Sequence, residues 1–378
     1  MENKKKVLVA LSGGVDSSVA AALLKEEGYE VIGVTLRLLK KGASEFGCCG
    51  NPEDIAIAKR GAERIGVPHY VLDYAVDFED TVINYFVDSY LNGETPNPCL
   101  ACNRFIKFDK LKTFAQTLDC SFLATGHYAR IIKKNHTEKE TFHLYESVDK
   151  TKDQSYVLYH ETNSELATTL FPVGFMNKSE IREQARRLSL PNADKKDSQE
   201  ICFVPNRDYH SFMKTTLLER KRDHHPNAHS GPIKDQQGCV IGSHEGVAYF
   251  TVGQRKGLKL TTKEPYYVTN LDPKSNTVVV GPDKEGLSTG LIANDTTWIA
   301  GDPPAPVFSA FVKIRYKHEP TPATITVKNG TFEVRFDDPQ RAVSPGQAAV
   351  IYRWDDHLQA KEVIGGGKIQ SALKEVRR

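Results

Sequence analysis

Lys6-Val7-Leu8-Val9-Ala10-Leu11 runs without a break into Ser12-Gly13-Gly14-Val15-Asp16-Ser17-Ser18. The first six residues are apolar and partly β-branched with no polar alternation, the pattern of a strand buried on both faces of a parallel sheet. Val15, Val19, Ala22 and Leu23 then recur at helical spacing, Gly28 supplies a stop, and Val31 to Leu36 reads as a second buried strand. Between the first strand and the helix stand two glycines, three serines and an acid. Glycines allow a tight turn and close approach of the backbone to a ligand, and the unpaired N–H groups of a helix start favour an anion. A serine-capped helix alone would need one Ser or Asp and one Gly. The excess at this strand-to-helix junction predicts a phosphate-binding loop.

Outward from this unit the alternation continues: a helix near Asp54 to Ile65, a strand at Tyr70 to Leu72, helices near Thr81 to Leu91 and Asp109 to Thr117, and a strand at Phe122 to Thr125. This predicts a doubly wound α/β domain over residues 1–170. Ile131 to Val148 reads as a protruding hairpin around a polar Lys133 to Glu140 stretch. Lys178 to Leu188 is helical, and a small middle domain is expected over 171–235. Beyond Gly238 short β-rich runs dominate, so a C-terminal β-barrel is expected over 236–378, with Thr324 to Val327, the Asn329-Gly330 turn and Phe332 to Phe336 as its clearest hairpin and Ala348 to Tyr352 as a further strand.

With 378 residues, two or three domains are expected. Hydrophobic residues at 39% and charged residues at 26% exclude a disordered or fibrous chain. No run approaches the roughly 18 apolar residues of a membrane helix and no secretory core follows Lys4 to Lys6, so a cytoplasmic protein without a membrane partner is expected. Lys plus Arg at 50 against Asp plus Glu at 48 gives +2, so any nucleic-acid surface must be local. The local basic groups are Lys150 with Lys152, Arg182 with Arg186 and Arg187, Lys195 with Lys196, Arg220 with Lys221 and Arg222, and Arg255 with Lys256. Each one alone is equally well a solvated face. Seven cysteines without an export signal argue for chemistry or metal binding rather than a disulfide framework.

The loop matches neither the Lys-Ser/Thr P-loop nor GxGxxG. It resembles the pyrophosphate-gripping loop of the ATP pyrophosphatase superfamily, whose other members include ligases and amidotransferases. Thr95-Pro96-Asn97-Pro98-Cys99-Leu100-Ala101-Cys102-Asn103 and Asp197-Ser198-Gln199-Glu200-Ile201-Cys202-Phe203 resemble the two cysteine segments of the tRNA-specific 2-thiouridylases. Thr125 to Tyr128, Lys152 to Tyr156, Thr251 to Gly257 and Arg315-Tyr316 are similar to that family in its order.

The resemblance implies ATP and Mg²⁺ as cofactors, and ATP-dependent 2-thiolation of the wobble uridine of tRNA, with an upstream sulfur donor, either a persulfide carrier or a cysteine desulfurase. A uracil C2 oxygen is a poor leaving group, so adenylation must precede its substitution by sulfur. By resemblance Cys202 carries the persulfide and Cys102 is the partner thiol, acting as nucleophile or by closing a disulfide. ATP falls on Ala10, Leu11, Ser12, Gly13, Gly14, Val15, Asp16, Ser17, Leu36 and Gly126. Asn97, Pro98 and Cys99 line the flipped base, and His127, Lys152, Asp153, Gln154, Arg315, Tyr316 and Gln347 touch the tRNA. Asp16 either helps to hold Mg²⁺ or caps the helix. The mechanism asks for a positive field near the thiols, with Arg104 and Lys107 as candidates. Cys102 and Cys202 fall in polar, turn-rich segments, whereas Cys120 and Cys239 read as small buried hydrophobes.

The family's commoner pattern has Asp three residues before the first functional cysteine, where this chain has Cys99. Three readings follow: an iron–sulfur cluster on Cys99, Cys102 and Cys202, a redox-active CxxC pair, or a structural zinc. The adjacent Cys48-Cys49 adds a further thiol pair.

Overall fold

The computed structural model describes residues 4–40, 50–136, 139–196 and 201–374. β1 (Lys6–Ala10), α1 (Val15–Glu26), β2 (Glu30–Arg37), α2 (Pro52–Ile65) and β3 (His69–Asp73) form the opening unit that the apolar runs predict. Two longer helical runs follow, α3 over 75–91 and α4 over 98–117, then β4 (Phe122–Ala124), the hairpin β5 (Ala129–His136) and β6 (Lys139–Glu146), and the short β7 (Thr169–Leu170). The parallel sheet has the order β3-β2-β1-β4-β7. Val7 and Val9 pack with Ala21, Leu24, Ala58 and Ala62 of α1 and α2, and Leu8 packs with Phe108, Leu111 and Ala115 of α4. Alternate residues of one strand thus serve two helical layers, which is the doubly wound arrangement. The strand order reverses between β1 and β4, the point at which such sheets open a ligand crevice.

Two helices start earlier than their apolar spacing suggests. α3 begins at Ala75, and a π-helical turn, Glu79–Ile83, joins its two α-helical parts. α4 begins at Pro98: Asn97 Oδ1 accepts from the Cys99 N–H (3.0 Å), Pro98 occupies the first turn, and a π-helical stretch, Cys102–Phe108, continues it. The Pro-Asn-Pro run that reads as a turn is a helix start, because proline lacks only an N–H that the first turn leaves unused. Cys99 and Cys102 therefore lie on a helix and not in a turn-rich segment.

α5 (Lys178–Arg187) and α6 (Tyr209–Glu219) precede a β-rich part that divides into two sheets. β8 (Gly231–Lys234), β9 (Val240–His244), β10 (Tyr266–Asp272) and β11 (Thr277–Pro282) form a four-stranded sheet. β12 (Leu287–Trp298), β13 (Val307–Lys313), β14 (Thr321–Lys328), β15 (Thr331–Arg341), β16 (Ala348–Asp355) and β17 (Ala360–Leu373) close into a six-stranded barrel through β12–β17 pairing. The Asn329-Gly330 turn joins β14 to β15 as expected, with Gly330 at φ +74°.

The hairpin expected to protrude does not. β6 pairs with β17 (Tyr145 with Glu362, Leu144 with Val363) and extends the barrel sheet, and most of the polar Lys133 to Glu140 stretch is strand. Its polar groups are met by the barrel: Lys134 Nζ reaches Asp355 (3.0 Å), His143 Nδ1 lies 2.6 Å from Glu362, and Tyr145 donates to Asp355 (2.7 Å). Among the described residues no helix is long and apolar enough to cross a membrane.

His160 sits where α4 meets the barrel, beside a cavity of about 270 Å³ shared by Leu100, Arg104, Asp295 and Gln347. It is 8% exposed, and burial, reinforced by the charge of Arg104, lowers its pKa to about 4. A free histidine takes up a proton near pH 6.5, so the unfolded chain binds a proton that the fold refuses until about pH 4. This contribution to stability is complete above pH 6.5 and is lost as pH falls toward 4, by up to about 3 kcal/mol. In denaturant melts at pH 7 and pH 4.5, His160→Gln should lose less stability on acidification than the wild type. Equal losses would show that His160 carries none of the acid sensitivity.

Candidate functional site

Leu11 still donates to Val34 O (2.7 Å), so the chain leaves the sheet only at Ser12. Gly13 then turns at φ +74°, where a Cβ would stand 2.5 Å from the Asp54 carbonyl oxygen. Gly14 is the N-cap of α1 and offers no side-chain cap, so the amides of the first turn face out of the helix. The three serines divide the work. Ser17 Oγ and Ser18 Oγ turn back to Gly14 O (3.1 and 3.2 Å), and exposed Ser12 lies 3.3 Å from Ser17 Oγ. The loop after β4 lies against this start: a Cβ on Gly126 would meet Ser17 N at 2.6 Å. Ala10 ends β1, Leu36 lies near the end of β2, and Val15 is buried, leaving only its backbone to the loop.

Residues to which the sequence pattern assigns no part in the loop brace it. Lys178 Nζ donates to both Asp16 oxygens (2.7 and 2.9 Å), and Tyr128 OH donates to Oδ1 (2.7 Å). Buried Asn192 donates to Gly13 O (3.1 Å) and Ser18 Oγ (3.0 Å), and Lys195 forms an ion pair with Asp54. Tyr128 belongs to the family-like Thr125 to Tyr128 segment and Lys195 to a basic cluster. Nothing in the local pattern marks Lys178 or Asn192.

Cys102 is 7% exposed and belongs to an apolar cluster with Leu38, Ile106 and Phe203, and partly buried Cys202 packs against the same cluster. The structure thus brings the two cysteines onto one apolar floor. The segment that carries Cys202 follows the Asn192–Lys195 brace, although Asp197 to Glu200 and Cys48-Cys49 lie outside the described residues. Cys99 is exposed. Among the described residues no three His, Cys, Asp or Glu side chains converge as a metal would require, so Cys99, Cys102 and Cys202 do not fit the iron–sulfur reading, and the Cys48-Cys49 pair that a zinc would add lies outside the described residues. Arg104 is engaged by Asp295 (2.9 Å), and the charge of Lys107 acts on His127. Cys120 is partly buried, and burial raises its thiol pKa. Cys239 is exposed in a turn closed onto Asp235, not in a core.

The residues assigned to tRNA take different places. Asn97 caps α4, Pro98 is buried and Cys99 faces out. Tyr316, 37% exposed, has its pKa pushed up to about 12, by burial first and then by the electrostatic effects of Asp153 and Cys99. Asp153 accepts from Ser147 N, Ser155 N and Ser155 Oγ, and burial raises its carboxyl pKa. Gln154 Oε1 accepts from Tyr128 N (3.0 Å) beside half-buried Lys152. His127 is only 7% exposed, bonded to Thr125 Oγ1 and stacked on Phe108, a place that supports the turn rather than a surface. Gln347 donates to Thr95 O (2.8 Å), and Arg315 donates to Arg341 O (3.0 Å). Both border a cleft of about 630 Å³ where the parallel-sheet domain, the four-stranded sheet and the barrel meet. Of the basic clusters, Arg186, Arg187, Arg220 and Arg222 are spent on Asp194, Glu26, Glu79 and Asp88.

Residues 5–206 match the family described as the tRNA methyl transferase HUP domain, residues 222–282 its PRC-barrel domain, and residues 288–369 the aminomethyltransferase beta-barrel domain. A protein of Carboxydothermus hydrogenoformans named tRNA-specific 2-thiouridylase MnmA is 46% identical over 376 residues, covering 98% of this chain and 99% of its own. A protein of the same name from Geobacter metallireducens is 45% identical over 379 residues, with 98% of both chains covered. One from Heliobacterium modesticaldum is 47% identical over 371 residues, covering 97% of this chain and 92% of its own. With a glycine-turned phosphate loop, two cysteines on one apolar floor and identity sustained along nearly the whole chain, the protein belongs to the tRNA-specific 2-thiouridylase family.

Proposed function

We propose that the protein replaces the C2 oxygen of the wobble uridine of tRNA with sulfur, using ATP held by the Ser12 to Ser17 loop and a persulfide on Cys202. The observation that carries this is the packing of Cys102 and Cys202 on one apolar cluster, with the chain that leads into Cys202 tied to the phosphate loop through Asn192 and Lys195. The C2 oxygen attacks the α-phosphorus of ATP, pyrophosphate leaves, and the uridine N3 proton is lost. The terminal sulfur of the Cys202 persulfide then attacks C2 and AMP leaves. Attack of the Cys102 thiolate on Cys202 Sγ closes a disulfide and leaves the sulfur on C2. A thiol reductant must reopen that disulfide in each cycle. Upstream, a persulfide carrier or cysteine desulfurase must load Cys202. Extrusion of the wobble base supplies access to C2, which is out of reach in a stacked anticodon.

Mg²⁺ bound with the nucleotide would supply charge neutralisation at the phosphates, and Asp16 is the loop's carboxylate suited to it. Lys178 and Tyr128 hold that carboxylate oriented. The first-turn amides of α1 and the Ser12 hydroxyl are the donors that would receive pyrophosphate.

Cys202→Ser should abolish thiolated tRNA while ATP still binds and tRNA-dependent pyrophosphate release persists for a single turnover, measured with γ-labelled ATP. Undiminished thiolation in that variant would remove Cys202 from the sulfur route, and tRNA-dependent ATP consumption that never yields thiolated tRNA in the wild type would move the function to a cysteine-independent ligase of the same superfamily. Gly13→Ala forces a left-handed residue to carry a Cβ against Asp54 O, and it should weaken ATP binding about tenfold or more by calorimetry with tRNA affinity kept. Anaerobically purified enzyme, and its Cys99→Ala variant, should be colourless, free of iron and active. Iron and sulfide bound in proportion to activity would overturn the persulfide route.

A further inference from the structure

The cleft where Thr95, the Thr251 to Gln254 turn, Tyr267, Arg315 and Arg341 come together has about 630 Å³, within the range of small-ligand sites. Two of its cations are set up differently. Arg341 forms an ion pair with Asp283 and lies over the Tyr267 ring, 5.4 Å from its centroid, so its plane is fixed from two sides. Arg315 is half-buried and donates to Arg341 O, and among the described residues no carboxylate stands within ion-pair distance of it. Burial and the like charge of Arg341 both lower the pKa of Arg315. The partly desolvated Arg315 guanidinium is thus met, among the described residues, by a backbone carbonyl and by no carboxylate, which suits it to an anion brought by a ligand.

Resting on the reading that tRNA is the substrate, we infer that this cleft binds a second unstacked anticodon-loop nucleotide, distinct from the base that reacts. Its phosphate meets Arg315, and its base stacks on the Arg341–Tyr267 platform. Nucleobases stack on tyrosine rings and on guanidinium planes alike, and a phosphodiester is the anion that an unpaired arginine beside such a platform suits. Gln347 and the Thr95 carbonyl that it bonds both line this cleft, and Thr95 stands two residues before Asn97, so a nucleotide held here would lie near the base bound by the Asn97 to Cys99 segment. The middle unit, through Tyr267, thereby takes part in presenting the anticodon loop.

The test uses the full-length enzyme and a fluorescent anticodon stem-loop RNA, with affinity read by anisotropy across a salt series. Tyr267→Ala should bind about five- to a hundredfold more weakly, the range for loss of one stacked base, with an unchanged salt slope, and Tyr267→Phe should bind as the wild type does. Arg341→Lys keeps the charge and loses the plane, and it should also weaken binding at an unchanged slope. A stem-loop with a single abasic residue beside the wobble position should cost the wild type a similar factor and cost Tyr267→Ala nothing further. Wild-type affinity in Tyr267→Ala and Arg341→Lys, or an abasic penalty fully additive with Tyr267→Ala at every loop position, overturns the inference. A loss shared by Tyr267→Phe assigns the effect to the hydroxyl or to misfolding and overturns it as well. Failure of the wild type to bind the stem-loop at all would instead remove the tRNA reading on which it rests.

Discussion

The Gly13 carbonyl accepts from Asn192, and Lys195 closes over it through Asp54, so a phosphate loop early in the chain is fastened by residues some 180 positions later. A glycine turn of this kind has little intrinsic rigidity, since glycine loses the most backbone freedom when it is fixed. Its shape is imposed from outside, by Asp54 beneath, Gly126 at the side and Asn192 above. The same fastening gives the enzyme a geometric link between the phosphate loop and Cys202, because the chain that holds the loop goes on to that cysteine.

Placing Cys102 and Cys202 on an apolar floor has a chemical cost and a chemical use. Desolvation disfavours a thiolate, yet under the proposed route it would also keep water from the persulfide and from the activated C2. Exposed Cys99, one turn before Cys102 on the same helical run, stands outside that floor, close enough to Tyr316 to act on its titration. The thiol at this position therefore differs from Cys102 in environment more than in chemistry.

How much of this was legible in sequence depends on the range of the interaction. The buried strand before Ser12 and the turn at Asn329-Gly330 declare themselves locally, because strand burial and turn geometry are properties of a few adjacent residues. The start of α4 at Pro98 was hidden because proline and asparagine signal both a turn and a helix cap. The hairpin of β5 and β6 looked solvent-borne, since Lys134 and His143 find their partners more than 200 residues away, at Asp355 and Glu362. Lys178 and Asn192 could not be picked out for the same reason: a lysine on a helix and an asparagine in a loop acquire meaning only when the fold sets them against Asp16 and Gly13. Resemblance supplied the assignments of His127 and Gln347, and only the structure separates the buried ring from the amide at the edge of a cleft.

The pairing of β6 with β17 makes the N-terminal domain and the barrel share one run of hydrogen-bonded backbone. During synthesis β6 emerges when β17 is still more than 200 codons away. At about 5–20 residues per second its edge waits on the order of ten to forty seconds for its partner. Lysine-rich β5 covers one side of that hairpin, but the other edge of β6 offers its amides and carbonyls to any extended chain nearby. The nascent enzyme is thus most open to mispairing in the interval before its last strand leaves the ribosome.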